Sequence, residues 1–204
     1  MGYGITAYVV DGEAVRRAFG SRDEALVVRV ATGFRDEIAD LDDGLTDEIG
    51  SGAPRMELAL EELIAGNIGS PEHAYAYVYA LELLCRALGE RMSNEVLGRF
   101  STEGARRVDE VLAEKGVLLT VSELTGWAPP IALPPPEGLP GCTTVDHERS
   151  VQLALLLESI DVDALRVDVD DDMNEFIRDA IGEMLEWVTG ARDLACGVVV
   201  CFYH

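Results

Sequence analysis

The chain has 204 residues, of which 48% are hydrophobic and 26% charged, enough for one globular domain whose core needs neither disulfides nor metal. Its 38 acidic residues against 16 basic ones give a net charge of −22. That balance excludes a nucleic-acid binder, which needs clustered Lys and Arg against phosphate, and a partner of an anionic membrane surface.

The opening MGYGITAYVVDGE has no basic leader and no apolar run of signal length, and no stretch approaches membrane-spanning length. We therefore expect a cytoplasmic protein. Fifteen of the 16 basic residues are Arg, with Lys115 alone, a bias of high-GC bacterial genomes. Of the four cysteines, Cys85, Cys142, Cys196 and Cys201, no two form C-x-x-C, and buried reduced thiols are expected.

Gly4 to Val10 alternates as a strand, with Ile5, Ala7 and Val9 on one side and Thr6, Tyr8 and Val10 on the other. Asp11 caps a short helix stopped by Gly20. Ser21 to Glu24 reads as a capping box for a helix running to about Asp40, followed by a polar turn region to Pro54. Pro54 opens a further helix that Gly66 ends. Residues 71–88 form a helix apolar nearly all round, hence central, with Glu82 and Arg86 spaced i,i+4 on one polar strip. Residues 102–115 are amphipathic, and Val117 to Val121 reads as a short strand.

Residues 126–141 hold six of the eight prolines, so they form neither a regular helix nor a central strand. They also carry Trp127, Ile131, Leu133 and Leu139, which points to an extended segment laid over the core and allows a lobe boundary there. Thr143 or Thr144 would cap the next helix, to about Ser159. Asp172 would start the last one, which Gly190 would end, and Gly197 to Tyr203 closes as a strand. The expectation is one domain over 1–204 in the α+β class. It is mostly helical, with a small mixed or antiparallel sheet whose central strands are the two terminal ones.

The segments MGYGITAYVVD and ALELLCRALGE, the proline run and the closing GVVVCFYH resemble an uncharacterised actinobacterial family of conserved hypothetical proteins. The layout, a strand just after Met-Gly, many helices and a closing strand, is also similar to the YfbM-like family. Both resemblances imply a fold class and a bacterial cytosol, and neither implies a catalytic motif.

Two spans concentrate the acids. Residues 36–48 hold seven acids and no base, among them Asp40, Asp42 and Asp43; residues 158–175 hold eight against Arg166, among them Asp168, Asp170, Asp171 and Asp172. They read as solvated turns and helix N-termini, or as surfaces for a basic partner. Asp168, Asp170, Asp172 and Asn174 suggest a calcium loop, but its sixth and twelfth places are Met173 and Asp179 where Gly and Glu are needed.

His73, His147 and His204 belong to no zinc or hydrolase pattern. No phosphate-binding loop or nucleophile elbow is present, so no catalytic, metal or cofactor residue is assigned. Two readings follow. The first is a non-catalytic acidic module, of immunity or antitoxin type, that binds a basic protein. The second is a small-molecule binder or enzyme with a pocket between helix 71–88 and the proline segment, lined by His73, Tyr75, Tyr79, Glu82 and Trp127.

Overall fold

The structure, a computed structural model, describes residues 4–162, 164–167 and 169–204. In chain order the elements are β1 (Ile5–Asp11), α1 (Gly12–Ala18), α2 (Glu24–Gly33), α3 (Arg35–Gly44), α4 (Thr46–Gly50) and α5 (Met56–Ala65). A 3-10 turn, Pro71–His73, leads into α6 (Ala74–Leu88), then β2 (Gly89–Arg91), α7 (Thr102–Glu114) and α8 (Val121–Leu124). The chain continues with β3 (Trp127–Ala128), β4 (Gly141–Val145), α9 (His147–Glu158), α10 (Asp171–Asp193) and β5 (Gly197–Tyr203).

The strands form one mixed sheet in the order β2-β1-β5-β4-β3. The terminal strands β1 and β5 pair antiparallel from Ile5↔Tyr203 to Asp11↔Gly197, and β3 with β4 is the parallel pair. The fold is α+β with both terminal strands inside the sheet, as the alternation in β1 and the Val-rich β5 imply.

That alternation sorts the core into two layers. Ile5, Ala7 and Val9 join Val199, Cys201 and Val145 under α7, α9 and α10. Tyr8 and Val10 join Val198, Val200 and Phe202 under α1, α2, α5 and α6. Nine of the α6 residues are buried, so it is the central helix its composition predicts. A Cβ on Gly89 would come within 2.3 Å of the Val9 carbonyl oxygen, so only glycine lets the chain leave α6 directly against β1. Gly66, at φ 71°, ends α5 in the left-handed cap the sequence predicts.

The buried face under α10 is fixed by a carboxylate. Glu183, 7% exposed, accepts hydrogen bonds from the amides of Val96 and Leu97 at 2.8 and 2.9 Å. Those amides belong to a loop that no helix or strand satisfies, and the Trp187 indole adds a bond to the Ser93 carbonyl at 2.6 Å.

Several local expectations are corrected. The helix from Ser21 does not run to Asp40. Asp23 supplies the cap, accepting from the Leu26 amide at 3.0 Å, and the helix breaks at Phe34. Residues 40–50, expected as a turn region, are instead the end of α3 and all of α4; each helix has two acids in its first turn that favour its dipole, Asp36 and Glu37 in α3 and Asp47 and Glu48 in α4, and Ile38 and Leu41 pack on the core. Val117–Thr120 forms no strand and leads into α8, which takes in Val121. Thr143 and Thr144 lie in β4, where β-branched residues fit the pleat, and Asp146 is the true cap of α9. The last helix is capped by Asp170 and continues past Gly190 to Asp193. Cys85, Cys142 and Cys201 are buried and free, whereas Cys196 is exposed.

The proline segment contributes Ile131 and Leu133 to the α6 side of the core, and β3 and β4 flank it within the same sheet. Leu139 is exposed.

Candidate functional site

Strand parity builds the site. Along β5, Val198, Val200 and Phe202 face α6, and the antiparallel ladder extends one further pair, with Gly4 and His204 exchanging backbone bonds at 3.2 and 3.1 Å. Two residues beyond Phe202, His204 therefore lies on the same side. Tyr8 on β1 points that way too, packing edge-on against Phe202 at 5.9 Å. On α6, Tyr79, Glu82, Leu83 and Arg86 follow at i, i+3, i+4 and i+7, one stripe of a helix. On α3, Glu37, Asp40 and Leu41 repeat the first three of those offsets. These residues line one cleft of about 390 Å³.

Glu82 sits at its floor, with 17% of its side chain exposed. The Tyr8 hydroxyl donates to Oε1 at 3.2 Å, and His204 Nε2 lies 2.9 Å from Oε2. The His204 ring stacks on Tyr79, centroids 5.6 Å apart and planes 11° from parallel. The Tyr8 phenol is pushed well above its ordinary value, first by burial and then by the Glu82 charge. Tyr79 is raised for the same reasons, in the same order. Both hydroxyls therefore remain protonated donors at neutral pH. Glu82 also helps to hold the buried Cys85 thiol protonated, after burial itself.

The rim is polar. Arg86 pairs with Glu37 at 3.0 Å and lies over the Phe34 ring, 4.7 Å from its centroid. Asp40 is exposed and has no ion-pair or hydrogen-bond partner among the described residues. α3 buries no residue fully, and Ile38 and Leu41 pack partly buried against the core. Polar contacts add to this: the Arg86–Glu37 pair at one end, and at the other Asp42, which accepts from the Met56 amide at 2.8 Å and pairs with Arg55 at 3.3 Å.

Of the five pocket residues expected from sequence, the cleft brings together Tyr79 and Glu82. Tyr75 and His73 lie at the opposite end of α6 and contact each other, with the Tyr75 hydroxyl 3.4 Å from His73 Nδ1. Trp127 is half-buried in β3 and does not line the cleft; neither does any residue of the proline segment. Sequence reasoning missed Tyr8, His204, Glu37 and Arg86 as lining residues. For Tyr8 a signal existed, since its parity in β1 is opposite to that of Ile5, Ala7 and Val9.

The acids expected to form interaction surfaces have divergent fates. Asp42 is a helix anchor, and Asp170 caps α10 by accepting from the Met173 amide at 2.8 Å. Asp171 and Asp172 are exposed in the first turn of α10, where carboxylates favour the helix dipole. Asp43 is exposed on α3, and Asp168 lies outside the described residues. Among the described residues no group of three or more His, Cys, Asp or Glu side chains is arranged to hold a metal ion, and no helix is long and apolar enough to cross a membrane.

The chain belongs to the DUF7691 family, a domain of unknown function, which matches it over residues 1–204. No curated protein and no solved structure matches it.

Proposed function

We propose that this DUF7691 chain is a binding protein whose cleft over Glu82 takes a small organic cation. One observation carries the reading. Glu82 is a largely buried carboxylate whose direct partners are a phenol and an imidazole, so no Arg or Lys neutralises it. At an effective dielectric of about 20, a cation 4 Å from such a carboxylate gains about 4 kcal/mol of gross attraction, against about 1 kcal/mol beside a carboxylate in bulk water. The exposed acids of α3 and α4 offer only the weaker figure. The rings of Tyr8 and Tyr79 add a second attraction, since aromatic faces draw cations.

Calorimetric titration with alkylammonium ions and with neutral alcohols of equal size tests this. The ammonium series binds and the alcohols do not, and Glu82→Gln removes the difference. Equal behaviour of the two series contradicts the reading.

A second reading is a non-catalytic module that binds a basic protein. It is supported by Asp36, Asp43, Asp47 and Glu48, exposed on two helices with no fully buried residue. Capture of a defined basic protein that weakens steeply with salt supports it; indifference to salt counts against it. Composition, with one Lys among 16 basic residues, supports a bacterial cytoplasmic setting of actinobacterial type for either role.

A further inference from the structure

The cleft holds two carboxylates that pair with no Arg or Lys among the described residues, and they stand at different depths. Glu82 is on the floor, bonded to Tyr8 and His204. Asp40 is on the rim, one helical turn from Glu37, whose charge Arg86 already takes up. The wall that Leu41, Leu83 and the Tyr79 ring provide in the same cleft is apolar. Negative, apolar, negative is the pattern that a dication with an aliphatic stem completes.

From this we infer that the ligand is a short α,ω-diaminoalkane, one ammonium on Glu82 and the other at Asp40. The inference rests on the cation-binding reading above and specifies it. A single ammonium meets only the floor carboxylate. A second one at the right spacing meets Asp40 without a second loss of translational freedom, so the diamine gains affinity by linkage. A cleft of about 390 Å³ lies near the small end of ligand sites, which suits a compact aliphatic chain. The apolar stem gains from contact with Leu41 and Leu83, so chain length sets affinity, with an optimum where both ends reach their carboxylates.

The test is calorimetry on the full chain with the series from 1,2-diaminoethane to 1,8-diaminooctane, each beside the monoamine of equal carbon number. Affinity is expected to peak at an intermediate length, with the best diamine about fivefold tighter than its monoamine, or about 1 kcal/mol. Asp40→Asn, an exposed change that leaves the core untouched, should reduce that diamine to the level of its monoamine. Glu82→Gln should weaken both series. If monoamines bind as tightly as diamines at every length and Asp40→Asn changes nothing, the diamine inference is overturned while the cation reading stands. If no amine of either series binds, both fall. Circular dichroism of each variant separates loss of binding from loss of fold.

Discussion

Two carboxylates lie against opposite faces of the same sheet, and they do different work. Glu183 gives both oxygens to backbone amides of a loop, at 2.8 and 2.9 Å. Glu82 gives both to side chains, Tyr8 and His204, and opens to a cleft. A carboxylate locked by backbone amides cannot change partner without unfolding the loop. One held in part by an imidazole that is a third exposed can, because His204 sits at the end of β5 and its ring nitrogen can bond to water in the cleft instead. Burial alone therefore does not mark a functional acid; the kind of partner does.

Substitutions at the two positions should separate accordingly. Glu183→Ala should cause the largest loss of stability, about 3 kcal/mol, because the amides of Val96 and Leu97 are left without acceptors in a buried loop. Urea denaturation would register it as a lowered midpoint. Glu82→Gln should cost less than about 1 kcal/mol, since the amide still accepts from Tyr8. It should nevertheless weaken ammonium binding at least about tenfold in the calorimeter. If Glu82→Gln proved as destabilising as Glu183→Ala, the contrast between the two acids would vanish.

Arg86→Ala sharpens the comparison through its sign. Loss of a half-exposed ion pair with Glu37 and of the contact with Phe34 should lower stability by about 1 kcal/mol or less. It also frees the Glu37 charge at the rim, so cation affinity should rise where Glu82→Gln makes it fall. The smallest effect is alkaline. The Tyr77 phenol is pushed up to about 12, mainly by burial and then by its 2.5 Å bond to Glu62. Its folded value lies above the ordinary one near 10, so its contribution is intact below that value and declines as pH rises toward about 12. Melting temperature followed across this window should fall more steeply for the native chain than for Tyr77→Phe.

Much of the frame was legible in the sequence, because it rests on local patterns. The period of two in β1 named both core faces, Gly66 named a helix end, and the apolar run of 71–88 named the central helix. β4 was not legible. Thr143 and Thr144 carry both strand and cap propensity, and only pairing with β5 selects the strand. The site was half legible: Tyr79 and Glu82 could be read from helical spacing, but His204 reaches Glu82 only through the β1–β5 register, 122 positions away in sequence. The acids of 36–48 misled in the opposite sense, since nothing local shows that Asp42 is spent on the Met56 amide.

The most direct test is a nuclear magnetic resonance titration of the native chain with a short alkylammonium, following the side-chain signals of Tyr8, Tyr79 and His204. Saturable shifts confined to these three rings, and absent in Glu82→Gln, are the result expected of a cation seated on Glu82. Shifts spread over the exposed acids of α3, α4 and α10 with these rings unmoved would contradict it.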